Sequence, residues 1–337
     1  MHVDGFSADQ LTQMASRLIA WTERALHKGR LTVTDPFRKP RPAEPVWLTG
    51  KLWKEIEKTH TSAFLAAFSP KLRLERWGST LRALVSQPHP ISADASLVSP
   101  PTDFPWNAGR VIWQVEGENS ALHLLGSGWE TEVQELGLTY GIDLTPGTAP
   151  GLFPDQRENR ITLRSLRPKS VLNLFAHTCA FGALAATGGA ATLNIDSSAR
   201  ALARGKENYA RNQLEGSAHR FWTEDVRKVL PRLIRRGEKF DVVILDPPTF
   251  AHGSKGQAFR IAHELEPLLI SCLTLTSRRG VVFVSINDSR TGDSQLVSMI
   301  QDILAREQIR ARIKPGQRPP EVPPERMPAT LWIFRED

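Results

Sequence analysis

Cysteine is nearly absent from this 337-residue chain: Cys179 and Cys272 are its only two. Two thiols so far apart in sequence build no disulfide framework and no zinc cage. The nine histidines fall at no ligand spacing, so no metal is expected. Long apolar runs are missing as well; none approaches the roughly 18 residues that a membrane helix requires. The opening MHVDGFSADQ carries neither the basic start nor the apolar block of a secretory signal. A cytoplasmic protein without membrane contact is the expectation. Tyrosine is rare, at two, against nine tryptophans, which are read as large hydrophobes filling the cores. Repeats at solenoid periods are absent. Charge is not scarce: 43 basic against 36 acidic residues leave a net +7, a mild lean toward a polyanionic partner such as RNA.

The patterns that are present divide the chain. Residues 7 to 28 carry apolar residues at helical spacing, with Ser7 as N-cap and Gly29 as stop. A proline-rich connector follows at 35 to 45, then a short helix in LTGKLWKEIEKTH. From about 70 to 140, short alternating runs such as KLRLERWGSTLRALV, RVIWQVEG and ALHLLGSGWE are separated by Gly, Pro and Ser and predict a small β-rich module. From about 170 onward, strands and helices alternate through SVLNLF, AFGALAATGG, ATLNID, SARALARGKENYARN, HRFWTED, VRKVLPRLIRRG, FDVVILD, a helix near 260 to 277 and GVVFVSIN. This rhythm predicts an α/β domain, a Rossmann-like doubly wound parallel sheet covered on both faces. KPGQRPPEVPPERMP reads as a loop whose Arg318 and Arg326 line the substrate opening, and ATLWIF as a last edge or inserted strand. The expected division is 1–130 for the helix, connector and β-rich module, and 131–337 for the α/β domain.

In an open α/β sheet, ligands bind beyond the carboxyl ends of the strands, where strand order reverses. Acidic residues follow three consecutive strands here: Asp196, Asp225 and Asp246. Helix N-caps explain any one of them as well as function does. Together they edge a pocket where hydroxyl and amino donors can dock. An Asp after the second strand is the position that accepts from a ribose diol, in nicotinamide and in S-adenosylmethionine enzymes alike. The first loop separates the two. A pyrophosphate needs the glycines of G-x-G-x-x-G, whereas FAHTCAFG has Gly182 alone. S-adenosylmethionine has no phosphate and tolerates larger side chains in that loop.

VLNLFAHTCAFGALAATGGA, NIDSSARALARGKENYARN, the DPPTF that ends the fourth strand, and GLFPDQRENR upstream occur in that family's order. With these motifs the chain resembles the class I S-adenosylmethionine-dependent methyltransferases of bacterial large-subunit (23S) ribosomal RNA, over roughly residues 130 to 337. It departs from their pattern at Cys179, where glycine is usual, and at His177, where tyrosine is common; Cys179 is expected to add bulk beside the cofactor. The resemblance implies S-adenosylmethionine as cofactor, with Asp196 and its neighbour Ser197 at the ribose and Asp225 at the adenine amino group. Asn173, Phe175, Thr178 and Gly182 would line the methionine and ribose part, and Asp155, Gln156 and Arg157 would close the pocket. Two of these have bland readings: PDQRENR as a solvated turn, and Asn173 as an amide paired within a strand.

Methyl transfer from a sulfonium is an in-line displacement that needs positioning more than acid–base machinery. Asp246-Pro247-Pro248-Thr249-Phe250 suits a target slot: the prolines stiffen the exit, Asp246 accepts from base edges and Phe250 offers a stacking face. The bland alternative is a capped strand exit with Phe250 buried. Methylation at carbon-5 of a pyrimidine requires a nucleophile, usually Cys. The fifth strand ends in VSINDS, and its Ser285 and Asn287, like Lys255 in HGSKGQAFR, are expected to meet the substrate. The resemblance then ranks a ring nitrogen such as guanine N7 first, an exocyclic amine second and carbon-5 third. Two other readings stay open: a methyltransferase acting on a protein or small molecule, and a non-catalytic binding protein on a degenerate methyltransferase fold.

Overall fold

The computed structural model describes residues 9–17 except 11 and 15, 46–86 except 71, 108–248, 250–252, 258–287, 293–323 and 328–336. The chain forms two compact units, Met1–Pro154 and Asp155–Asp337. The described residues among 9–17 are helical; the rest of the expected first helix and the proline-rich connector lie outside the described residues.

In the first unit, β1 (Val46–Trp47) precedes α1 (Gly50–Lys58), which Thr49 caps by accepting from the Leu52 N–H. The strands β2 (Ala63–Ser69), β3 (Leu72–Trp77), β4 (Thr80–Val85), β5 (Arg110–Val115) and β6 (Ala121–Leu125) complete a six-stranded sheet in sequence order. Only the β4–β5 pair is parallel. The helix α1 drives Trp53 and Ile56 into the core beside Phe64, Leu74 and Leu81. A hairpin, β7 (Glu130–Glu135) and β8 (Leu138–Asp143), belongs to the same unit, because Ser62 and Gln134 exchange two hydrogen bonds, Ser62 N to Gln134 O (2.7 Å) and Gln134 N to Ser62 Oγ (2.9 Å). The division therefore falls after Pro154 and not after residue 130.

The second unit opens with a 3-10 turn (Pro154–Gln156) running into α2 (Arg157–Ser165). There follow β9 (Ser170–Leu174), α3 (Ala180–Thr187), β10 (Ala191–Asp196), α4 (Ala199–Arg211), β11 (His219–Thr223), α5 (Val226–Arg235) and β12 (Phe240–Leu245). The remainder is β13 (Phe250–His252), β14 (Ala258–Arg260), α6 (Ile261–Leu275), β15 (Thr276–Ile286), α7 (Asp293–Arg306), β16 (Ala311–Pro315) and β17 (Ala329–Arg335). The seven-stranded sheet runs β11-β10-β9-β12-β15-β17-β16, parallel through β15, with β17 antiparallel to both neighbours.

Alternation within the buried strands builds two cores. Leu172, Leu174, Val243, Leu245, Val282 and Val284 face α5, α6 and α7. Val171, Val242, Ile244, Val281 and Phe283 face α2 and α3 with Trp332. Strand order reverses between β9 and β12, so the loops after these strands meet at the switch point.

Three differences from the sequence expectation stand out. ATLWIF takes the inserted-strand alternative of its two readings, and the difference is the edge strand β16, whose Lys314 and Pro315 belong to the stretch read as loop. The helix α7 was not foreseen. After Pro248, Phe250–His252 and Ala258–Arg260 pair as two short antiparallel strands, elements absent from the sequence reading; Thr249 and Lys255 lie outside the described residues.

Candidate active site

The loop after β9 turns sharply through three non-glycine residues in left-handed conformation: Phe175 (φ 54°), His177 (φ 47°) and Cys179 (φ 64°). Each costs on the order of 1–3 kcal/mol, so the surroundings must impose the turn. They do so through hydrogen bonds. The Ala176 N–H donates to the Ile195 carbonyl at 2.9 Å, the His177 N–H to Asp196 Oδ2 at 2.8 Å, and Asn208 Nδ2 to the Thr178 carbonyl at 3.1 Å. Burial pushes the His177 imidazole down, toward its neutral form. The left-handed turn at Cys179 accounts for the glycine usual there. Its side chain is turned toward α4: a Cβ on Gly205 would lie 2.5 Å from Cys179 Sγ. The glycine at 205 accommodates the sulfur, and the bulk expected beside the cofactor is packed against a helix.

Asp196 ends β10 half-buried and organises its own surroundings. Besides the His177 N–H it accepts the Ser198 N–H on Oδ1 at 2.8 Å, and Ser198 caps α4 while Ser197 is exposed. Asp225 caps α5, taking the Arg227 N–H at 2.9 Å, and is forked by the Arg227 guanidinium, which also reaches Glu264 at 3.0 Å. The hydrogen bonds from Arg227 hold its carboxyl below the usual range. Asn173 gives its amide to Asn194 Oδ1 at 2.9 Å, and Asn194 in turn donates to the Tyr209 hydroxyl at 3.1 Å. A Cβ on Gly182 would collide with Asn194 Oδ1 and the Tyr209 hydroxyl. Inter-element packing thus explains both Asn173 and Gly182.

PDQRENR is not a solvated turn. Gln156, Arg157, Asn159 and Arg160 are all at most 3% exposed. Arg157 forms a bidentate pair with Glu321 at 2.6 and 2.8 Å, and Arg160 lies over the Phe181 ring at 5.6 Å. Gln156 Nε2 donates to Ser285 Oγ at 3.1 Å, and the Ser285 hydroxyl bonds to Asp246. Burial raises the Asp246 carboxyl to about 6, opposed by the Ser285 hydrogen bond, with the charge of Asp155 raising it and that of Arg160 lowering it.

The structure therefore joins Gln156, Ser285 and Asp246 directly and sets Asp155 within electrostatic reach. Pro247 is buried, Pro248 and Asn287 are exposed, and Phe250 continues into the β13–β14 hairpin. Arg318, expected at the substrate opening, donates to the Val322 carbonyl within its own turn, and Arg326 lies outside the described residues. Sequence reasoning passed over Asn159, Arg160, Glu321 and Trp332. One signal was available: Gln156, Asn159, Arg160 and Leu163 follow the i, i+3, i+4, i+7 spacing of a buried helical face.

Residues 110–331 match the family model of the S-adenosylmethionine-dependent methyltransferases. The chain belongs to this family. The methyltransferase is 42% identical over 121 residues to ribosomal RNA large subunit methyltransferase I of Shewanella denitrificans, covering 35% of this chain and 30% of that protein. It is 37% identical over 163 residues to Bacillus subtilis YwbD, whose name provisionally places it among ribosomal RNA large subunit methyltransferases; 48% of this chain and 41% of that protein are covered. The matched segments thus span less than half of either relative. A crystal structure of a provisionally named methyltransferase with SAH shares the fold, with TM-score 0.70 at 20% identity over 99% of this chain and 83% of the other. The cofactor of the methyltransferase is S-adenosylmethionine. Among the described residues no helix is long and apolar enough to cross a membrane.

Proposed function

We propose that this methyltransferase modifies a base of large-subunit ribosomal RNA, at a ring nitrogen such as guanine N7. The end of β12 carries the reading. Asp246 leaves the sheet at the switch point, followed by two prolines and held by Ser285, while both thiols of the chain are buried, Cys179 against α4 and Cys272 within α6. Cys272 is fully buried within α6, and burial pushes both thiols up, away from the reactive thiolate. Carbon-5 chemistry would need such a thiolate beside the base. A ring nitrogen brings its own lone pair. The names of the matched relatives and the net charge of +7 support RNA as the partner.

The residues present fit the cofactor. Its ribose diol, adenine amino group and ammonium are all donors, and the strand ends here offer the acceptors Asp196, Asp225 and Asp246. Asp196 retains acceptor capacity toward the ribose, since a carboxylate has about four lone-pair sites and two N–H groups occupy it. Asp225 would serve the adenine amino group while braced by Arg227, and the Phe175–Cys179 turn would line the ribose and methionine part. When bound, S-adenosylmethionine supplies an electrophilic methyl carbon. The protein supplies alignment and a carboxylate: methylation at N7 leaves a positive charge on the purine, which an ionised Asp246 stabilises.

Incubating the protein with methyl-labelled cofactor and undermodified large-subunit RNA tests the proposal, with mass spectrometry of digested RNA locating the modified atom. Label in a purine, lost in Asp246→Ala and retained in Cys272→Ala, is expected. Calorimetric cofactor binding without label in any RNA would refute it, and loss of labelling in a folded Cys272→Ala variant would return carbon-5 chemistry to the front.

A further inference from the structure

Asp246 stands at the end of a buried chain of hydrogen bonds whose direction is set from its far end. Asn159 Oδ1 receives the Gln317 N–H at 3.0 Å and the Trp332 indole N–H at 3.2 Å. A backbone amide and an indole can only donate, so this atom of Asn159 must be the oxygen. Its Nδ2 then faces Gln156 at 2.9 Å, which requires Oε1 there and puts Nε2 toward Ser285 Oγ at 3.1 Å. The serine hydroxyl receives that N–H, and its one proton goes to Asp246. Asn159 and Ser285 are 0% exposed, Trp332 1% and Gln156 3%, so bulk water does not reset the direction. Gly316 permits the closure, since a Cβ there would lie 2.8 Å from Asn159 Oδ1 and collide with Thr330.

We infer that Asn159 is a positioning residue of the acceptor site: by fixing the direction of the Gln156–Ser285 hydrogen bonds, it holds the Asp246 carboxyl as an acceptor toward base edges that present N–H groups. The inference rests on the reading above that Asp246 faces the target base. Asp246 needs such help. Burial and the Asp155 charge favour its neutral form, which would put a donor on one of its two oxygens, and Arg160 and the Ser285 hydroxyl oppose them. Asn159 touches neither the base nor the cofactor in this scheme; it acts through two intervening side chains.

The test titrates Asp246 in the 337-residue chain by carbon-13 NMR of protein labelled at the aspartate carboxyls, the Asp246 signal being the one missing in Asp246→Asn. Ser285→Ala removes a hydrogen bond to a charged group and is expected to raise the Asp246 midpoint by about one pH unit. Asn159→Ala frees the Gln156 amide to rotate and is expected to raise it by roughly half as much, yet to have no further effect in a Ser285→Ala background. Ser285→Thr keeps the hydroxyl and restores the parental midpoint. Trp332→Phe leaves the Gln317 N–H in place and is expected to leave the midpoint unchanged. A folded Asn159→Ala protein with an unshifted midpoint, or an equal shift in both backgrounds, overturns the inference; Asn159→Ser takes its place if the alanine variant does not fold. The acid limb of methyl transfer to undermodified large-subunit RNA should follow each midpoint. Coupled midpoints without any transfer to RNA would leave the chain standing and overturn its assignment to base recognition.

Discussion

The buried pair between Arg157 and Glu321 gives the sharpest stability prediction. The two residues lie 164 positions apart, and their side chains are 4% and 0% exposed. Glu321→Ala strips the guanidinium of its bidentate carboxylate while Arg157 stays buried; a 3.3 Å contact to the partly exposed Glu158 remains. Removing one partner of a buried pair costs about 3–5 kcal/mol, because the remaining charge stays out of water without the carboxylate that matched it. For a unit of this size, each kcal/mol lowers Tm by roughly 2–4 °C, so a drop of about 6–20 °C is expected. Replacing both partners by apolar residues of similar volume, Arg157→Met with Glu321→Leu, should recover most of the loss, since the desolvation cost disappears with the charges. Thermal and urea denaturation followed by circular dichroism measure both variants. A single variant losing under ~1 kcal/mol would mean the pair behaves as an exposed one. A double variant as unstable as the single would mean that charge burial is not what the pair resolves.

Other substitutions probe the site from different sides. Asp246 holds its proton more tightly folded, with a value of about 6, than unfolded, with an ordinary value of 3.8, so its contribution to stability falls as pH rises through that window. Asp246→Asn is therefore expected to be more stable than the parent, by an advantage that grows by ~1.4 kcal/mol between pH 5 and pH 8 in urea denaturation; a constant difference would contradict the raised value. Gly182→Ala drives a methyl group into Asn194 and Tyr209, which hydrogen bonds hold in place, and should cost about 1–3 kcal/mol or more by calorimetry. Gly205→Ala should destabilise the parent by a similar amount but be tolerated beside Cys179→Gly, where the sulfur is gone. Additive effects in that double-mutant cycle would show that Cys179 and Gly205 do not share the space.

Much of the second unit is legible from local pattern. Continuous apolar runs in VLNLF and VVILD, helical spacing in SARALARGKENYARN, and acidic residues closing three consecutive strands depend on neighbours in sequence. They led to a doubly wound sheet and to Asp196, Asp225 and Asp246 at its carboxyl edge, where the structure has them. PDQRENR shows the limit of such reading. Its charge looks solvated until Glu321, Ser285 and Trp332 arrive from strands and turns well over a hundred residues away. Cys179 is a second case: whether its sulfur faces the cofactor or a helix depended on a glycine in α4.

The sequence by itself determined the order of strands and helices, the carboxylates at the strand ends and the lack of a thiol in DPPTF and VSINDS, because periodicity, capping and composition are local properties. Only the tertiary structure decided that β17 inserts between β15 and β16, that Arg157 is buried against Glu321, and that a chain from Asn159 sets which way Asp246 is hydrogen-bonded. Those outcomes rest on partners distant in sequence, and a buried polar group has its role assigned only when the fold delivers the donor or acceptor that satisfies it.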